Sequence, residues 1–425
     1  MLAAEWGDIL MKKHVWILNH YAGHMLFDRG GRHYNFAKHL QRNGYEPVVF
    51  CCNAKHGDGG YHFESPDLWH AHQAEEIGVP FVFVNARSYV GNGKRRVLNM
   101  IDFYFNVKKA AKEYAAKNGK PDIIYASSVH PLTLVAGIQL AKHFGVECIC
   151  EVRDLWPKAI VVYSERLSDS NPLIKLLYQG EKWIYKKADK LIFTMEGGYD
   201  YIVEQGWEKA VPREKTYPIN NGVDLKRFHE NRNRYQIEDE DLESPDIFKV
   251  VYAGSIRKVN NLGLLLDAAK EIRNPRVRIL VWGSGDELPG LKQRLADENI
   301  SNVVFKDRVE KKYIPYIVSK ADLNIVHSHP SPMSFYGPSL NKLFEYLAAE
   351  RPVFFDRPSK YNPAITFKAG TEISDVTAKS IAEEIERYVR MGVEEYTEYC
   401  QNAKRAAQEY DFANLTKKLI AVMEG

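Results

Sequence analysis

Short apolar runs bounded by turn residues recur along the chain with helical patterns between them, and that alternation admits little besides parallel α/β sheets. In the first half the predicted strands are 14–19, 47–52, 81–84, 122–126, 146–151 and 190–194, with helical patterns such as 34–41 and 132–143 between them. The alternation breaks at 220–245, where Asn221-Gly222, the charge run Glu238-Asp239-Glu240-Asp241 and Pro245 make a polar connection. It restarts with strands at 249–253, 277–282, 303–305, 323–326 and 353–355. The expected architecture is two Rossmann-like, doubly wound domains, 1–220 and 221–400, with a final helix at about 400–425 packing back on the first. A chain of 425 residues with 45% hydrophobic content is long enough for two such cores. Ligands of doubly wound sheets sit outside the carboxyl ends of the strands, so function is expected in the loops after strands, facing an interdomain cleft.

Composition narrows the partners. Lys plus Arg number 58 against 55 Asp plus Glu, which gives no field for wholesale nucleic-acid binding. The five cysteines form no zinc-like array and fit a reducing compartment. The apolar run 15–18 is too short for a signal or a membrane span, so a cytoplasmic location is expected. Residues 1–10 read as an extension before Met11. Asp239 and Asp241 form a DxD, but in a linker-like charge run that reads as a solvated loop, and neither metal nor cofactor is assigned.

In the first domain Gly30 and Gly31 open a helix after the first strand, where backbone amides and the helix N-terminus suit an anion or a sugar. A tight turn accounts for them equally. His130 stands after the fourth strand, and Arg153, Asp154 and Trp156 after the fifth. An Arg, an Asp and a Trp crowded at a strand end suit hydroxyl recognition and sugar stacking. The alternative is an Arg153–Asp154 or Arg153–Glu151 ion pair bracing the loop. His130 and Asp154 are the catalytic candidates here; Gly30, Gly31, Arg153 and Trp156 are assigned to the acceptor.

In the second domain Gly254 and Ser255 end the first strand and let a ligand approach, while Arg257 and Lys258 offer the cationic charge a diphosphate leaving group needs. Gly283 and Gly285 form a tight turn after the second strand, and Arg308 follows the third. Leu340, Leu343, Phe344, Leu347 and Ala348 repeat at helical spacing and bury one face, which puts Lys342 and Glu345 on another. Gly337, Pro338 and Ser339 lead into that helix, with amides for phosphate, Lys342 for charge and Glu345 for ribose hydroxyls. A surface Lys342–Glu345 pair is the alternative.

Together these residues resemble the family-4 retaining glycosyltransferases of GT-B fold, from Met11 onward. The segments that carry the likeness are Arg153-Asp154-Leu155-Trp156-Pro157, Asn221-Gly222-Val223-Asp224, Ala253-Gly254-Ser255 and Asn341-Lys342-Leu343-Phe344-Glu345-Tyr346-Leu347. The first is similar to bacterial surface-polysaccharide transferases of aminosugars such as N-acetyl-fucosamine. The resemblance implies a nucleotide-sugar donor, UDP-linked, a glycan or polyprenyl-linked acceptor, retention of configuration and metal-free chemistry. Of the family's two glutamates, separated by seven intervening residues, Glu345 matches the second and Gly337 occupies the place of the first. A nucleotide-sugar 2-epimerase of the same fold, or an inactive donor-binding subunit, are the competing readings. Finally, nine basic residues between 87 and 120 stand against Asp102 and Glu113, interleaved with aromatic and aliphatic side chains. That mixture suits an anionic membrane surface, or else an ordinary helix with its apolar face in the core.

Overall fold

A computed structural model describes residues 12–425 except 163, 165, 166 and 330; the first eleven residues, including the candidate extension 1–10, lie outside it. The chain forms two compact units. The first comprises 12–194, 202–217 and 416–425, the second 195–201 and 218–415.

The first unit is built on β1 (His14–Leu18), β2 (Glu46–Cys52), β3 (Trp69–Ala74), β4 (Val79–Val84), β5 (Ile123–Ser127), β6 (Glu147–Val152), β7 (Lys190–Phe193) and β8 (Thr216–Pro218), in the order β3-β4-β2-β1-β5-β6-β7-β8. The central strands are covered on both faces and are mostly apolar, as parallel pairing favours, with Ser127 at the end of β5 and Glu151 on β6 as buried polar exceptions. Trp16 on β1 packs among Phe50, Tyr114 and Phe144. The β3 strand runs antiparallel to β4 and escapes sequence reading because its sequence, Trp-His-Ala-His-Gln-Ala, lacks aliphatic alternation. Imidazoles take that role: His70 stacks on Phe83 and His72 on Phe63.

The second unit contains β9 (Phe248–Ala253), β10 (Val277–Trp282), β11 (Val303–Lys306), β12 (Leu323–Val326), β13 (Val353–Phe355) and β14 (Gly370–Glu372), parallel throughout in the order β11-β10-β9-β12-β13-β14. Helices on both faces close its two apolar clusters. The expected solvated charge run is instead an ordered turn: Asp239 caps Leu242 N at 3.0 Å, and the Lys306 ammonium lies 2.7 Å from both Asp239 and Asp241. A lysine thus occupies the place a cation would take between the two carboxylates. After β14 come the helices Ala378–Val389 and Val393–Glu409, then Phe412–Glu424, which begins in the second unit and ends in the first. There Tyr45 donates to Glu424 at 2.6 Å.

Candidate functional site

In the second unit the strand order reverses between β9 and β12, and the crevice outside the carboxyl ends at such a switch is where an open α/β sheet receives a ligand. The loop after β9 lies directly along the loop after β10. Gly254 N donates to Trp282 O at 2.9 Å and Ile256 N to Ser284 O at 3.0 Å. A Cβ on Gly283, whose φ is +152°, would fall 1.8 Å from Gly254 O, and one on Gly285 1.9 Å from Ile256 O. These two glycines are therefore required for packing, because only a residue without a side chain lets one loop rest on the other.

The helix Asn341–Ala348 completes this group. Leu343, Phe344, Leu347 and Ala348 are buried as expected, whereas Leu340 precedes the helix and is 37% exposed. The Tyr346 hydroxyl accepts from Ala253 N at 2.8 Å, which ties the helix to the end of β9. One turn earlier, the Lys342 Nζ sits 4.1 Å from the centre of the Tyr252 ring and 2.6 Å from where a Cβ on Gly254 would be. The surface Lys342–Glu345 pair does not form; the half-buried Glu345 instead approaches Lys311 at 4.0 Å. Burial, reinforced by the Arg357 charge, brings the Lys342 ammonium down from its ordinary value to about 7. An ammonium lowered in this way is stabilised by any added negative charge.

Gly337 N donates to Ser334 O at 3.2 Å and Pro338 has no N–H, so the amides expected near Gly337 are not the open ones. Those of Asn341 and Lys342, at the helix start, meet no carbonyl among the described residues. The lead-in is braced by Asn220, which donates to Pro338 O at 3.1 Å, and by Asn221, which donates to Ser339 O at 2.7 Å. Gly254, Ser255, Gly283, Gly285 and Lys342 are thus brought together. Arg257 and Lys258 are exposed on the loop after β9, and Arg308 is exposed beyond the edge strand β11.

Two residues that sequence reading passed over lie at the same strand ends. His327 follows β12 and Asp356 follows β13, both fully buried. The His327 Nδ1 meets the Asp356 carboxylate, and its Nε2 meets Asn261 O at 2.8 Å. Both ring nitrogens face acceptors. Asn261, at φ +50°, closes the turn that carries Arg257 and Lys258, so this buried pair anchors the loop bearing the two exposed cations. Their position immediately after buried central strands was the available signal.

In the first unit the order reverses between β1 and β5. There His20, after β1, and His130, after β5, meet at 2.5 Å, with the His20 ring stacked on Phe103. Burial, with Arg96 adding to it, lowers His130 to about 3; burial and the neighbouring His130 hold His20 well below the ordinary imidazole value. His130 is therefore a buried neutral base paired with a second imidazole, not an exposed one.

The Arg153–Glu151 brace is absent. Glu151 is engaged by Arg32 at 2.6 and 2.8 Å, by Ser127 at 2.7 Å and by Tyr125. Burial alone would raise the Glu151 carboxyl, but Arg32 and His33 hold it well below the usual range. Gly31, at φ +96°, caps the helix Arg32–Arg42, and Gly30 N donates to Met25 O at 3.2 Å. These glycines thus form the tight turn that seats Arg32 on Glu151. Arg153 N donates to the Ser128 hydroxyl at 3.0 Å, so the loop carrying Arg153, the exposed Asp154 and the half-buried Trp156 is tied to the loop carrying His130.

Residues 32–227 match the family described as Glycosyltransferase Family 4, and residues 247–390 the one described as Glycosyl transferases group 1. Among solved structures, sucrose-phosphate synthase from Thermosynechococcus elongatus superposes with a TM-score of 0.71 at 17% identity, over 97% of this chain and 98% of that one. The chain is a family-4 glycosyltransferase of GT-B fold. HepE of Anabaena in complex with UDP (TM-score 0.64, 15% identity, 97% and 100% of the two chains) has the same fold. So does α,α-trehalose 6-phosphate synthase from Burkholderia multivorans (0.67, 12%, 97% and 96%). At such identities the likeness is one of fold. No curated protein sequence matches the chain.

The basic segment of this glycosyltransferase contains the helix Lys94–Asn118, which buries Met100, Phe103, Val107, Ala110 and Tyr114. It also carries a second apolar stripe in solvent: Val97 is 56% exposed, Leu98 40%, Ile101 37% and Phe105 54%. Not all its cations are available. Arg87 is paired with Asp102 at 2.6 Å, and Arg96 turns inward to Tyr21 at 3.1 Å. Lys94, Arg95, Lys109 and Lys112 are exposed. No helix among the described residues is long and apolar enough to cross a membrane.

Proposed function

We propose that the enzyme transfers a sugar, with retention, from a UDP-linked donor held by the second unit to a glycan or polyprenyl-linked acceptor met by the first, in bacterial surface-polysaccharide synthesis. The observation that carries the donor half is Lys342. Its under-compensated ammonium lies over Tyr252 and beside Gly254, at a strand-order switch, with the open amides of the following helix in the same residues. A nucleoside diphosphate supplies the negative charge this group lacks. Glu345, one turn along and half-buried, is assigned to the ribose hydroxyls. Arg257 and Lys258, on the loop anchored by His327, are assigned to the departing diphosphate, where they stabilise charge that grows as the glycosidic bond to the donor breaks. The UDP and UDP-glucose complexes of HepE support this choice of donor.

The acceptor is assigned to the carboxyl ends of β1, β5 and β6. Asp154 and Trp156 offer a carboxylate and an aromatic face for sugar hydroxyls and rings, and the buried His20–His130 pair lies at the ends of β1 and β5. The aminosugar preference rests on the Arg153–Pro157 segment. The exposed stripe and cations of 87–120 are assigned to peripheral docking on an anionic inner membrane surface.

The test is a thermal-shift screen of nucleotide sugars followed by product analysis with lipid-linked and free acceptors. A ligand that binds only the native state raises its melting temperature. Stabilisation by UDP-sugars and transfer with retained configuration are expected. Epimerised donor, or binding with neither transfer nor hydrolysis, overturns the proposal.

A further inference from the structure

We infer that the helix Pro172–Lys187 is a second lipid contact, so that this enzyme meets an anionic bilayer through two helices of its first unit rather than through 87–120 alone. The inference rests on the membrane-docking reading of that segment. The helix buries Ile174, Tyr178, Ile184 and Tyr185. On its other side Leu173 is 59% exposed, Leu176 67% and Trp183 41%. With Gly180 they are spaced three, four and three residues apart, which makes one continuous stripe. A single exposed leucine is ordinary; an aligned row ending in a tryptophan is not.

The helix Pro131–Phe144 packs against both Lys94–Asn118 and Pro172–Lys187, so the three form one layer over the sheet, with solvent-facing apolar stripes on its two outer members. Both outer helices start from loops at the carboxyl ends of strands. The exposed residues in the first half of Lys94–Asn118, and Leu173 and Leu176 at the start of Pro172–Lys187, belong to the ends of these helices nearer the rim where the acceptor is assigned, and Trp183 extends the row toward the other end.

Charge selects the occupant. Lys175, Lys186 and Lys187 are exposed beside the stripe, while the helix's one acidic residue, Glu181, is buried and accepts from Tyr185 at 2.7 Å. Lys142 on the middle helix adds to the same sign. An apolar stripe flanked by lysines, with no exposed carboxylate on its own helix, is complementary to anionic headgroups over acyl chains.

The experiment is cosedimentation of the full chain at low salt with phosphatidylcholine vesicles containing phosphatidylglycerol, alongside quenching of tryptophan fluorescence by brominated lipid. We expect Leu176→Glu and Trp183→Ser each to lower vesicle partitioning about ten-fold or more while leaving nucleotide-sugar thermal shifts unchanged. Trp183→Phe should retain binding but remove the quenched emission. If the wild type binds, Leu98→Glu and Phe105→Glu abolish binding, and the Leu176 and Trp183 variants bind as before without quenching, this inference fails and the 87–120 reading stands. No wild-type binding overturns both. If Leu176→Glu instead dissolves a lipid-free dimer seen by sedimentation, the stripe belongs to a second copy and the inference is overturned.

Discussion

The Lys342 ammonium should make donor binding depend on pH in a direction fixed by its surroundings. In the free enzyme, burial and Arg357 bring it to about 7. A bound diphosphate favours the charged form and raises that value, so above pH 7 binding must carry a proton with it. If the bound value exceeds 9, the protonated fraction of the free enzyme sets the affinity. Raising pH from 6.5 to 8.5 then weakens binding about 25-fold, on the order of 2 kcal/mol. Calorimetry with a nucleotide sugar, whose esterified diphosphate does not titrate in this range, measures both quantities. At pH 8.5, buffers of different ionisation enthalpy should report uptake of about one proton. Lys342→Arg keeps its charge across the range and should flatten the profile; Lys342→Met should abolish the uptake. Equal wild-type affinity at the two pH values with no proton uptake would refute the placement of the diphosphate at Lys342.

Glu345→Ala should weaken nucleotide-sugar binding by roughly 1.5–3 kcal/mol in calorimetry with the melting temperature little changed, because the side chain lies off the buried leucine face. Gly283→Ala should destabilise the second unit by about 3 kcal/mol or more in denaturant melts, since its Cβ has backbone 1.8 Å away. Acid should unfold the first unit through His20, His33 and His130. Burial lowers all three, His33 to about 4 and His130 to about 3, so the unfolded chain binds more protons below pH 6.5 and stability falls as pH falls. At pH 5 His33 and His130 each cost about 2 kcal/mol relative to pH 7, His20 acts in the same direction, and an unfolding free energy flat between those values would contradict their neutral burial. Transfer should persist in excess EDTA if Arg257, Lys258 and Lys342 supply the charge at the leaving group; loss restored by magnesium or manganese would assign that role to an ion.

Strands buried on both faces were legible because apolar runs between turns need no partner to be recognised; β9, β10, β12 and β13 fall within a residue of their expected bounds. The short β8 and β14 and the imidazole-bearing β3 were not, because nothing in three residues or in alternating histidines announces a strand. In the site, local features came through best: the Gly254 and Gly283 loops and the Lys342 helix. Long-range partners did not. That Glu151 would choose Arg32, 119 residues away, over Arg153 depends on which loops the sheet order makes neighbours. The same holds for Asp239 and Asp241 closing on Lys306, and for His327 meeting Asp356. Each pairing is dictated by strand order, which sequence spacing does not encode.

The last ten residues belong to the first unit, and this has a consequence for how the enzyme is made. Leu419, Val422 and Met423 are buried, and Tyr45 waits for Glu424. During synthesis the first unit emerges early but lacks part of its own interior until residues 416–425 are made, while the second unit, from Pro218 onward, can close before then. An expression fragment stopped at 217 would leave that apolar patch bare. Fusing 412–425 behind a flexible linker to such a fragment is therefore the route to a stable isolated first half.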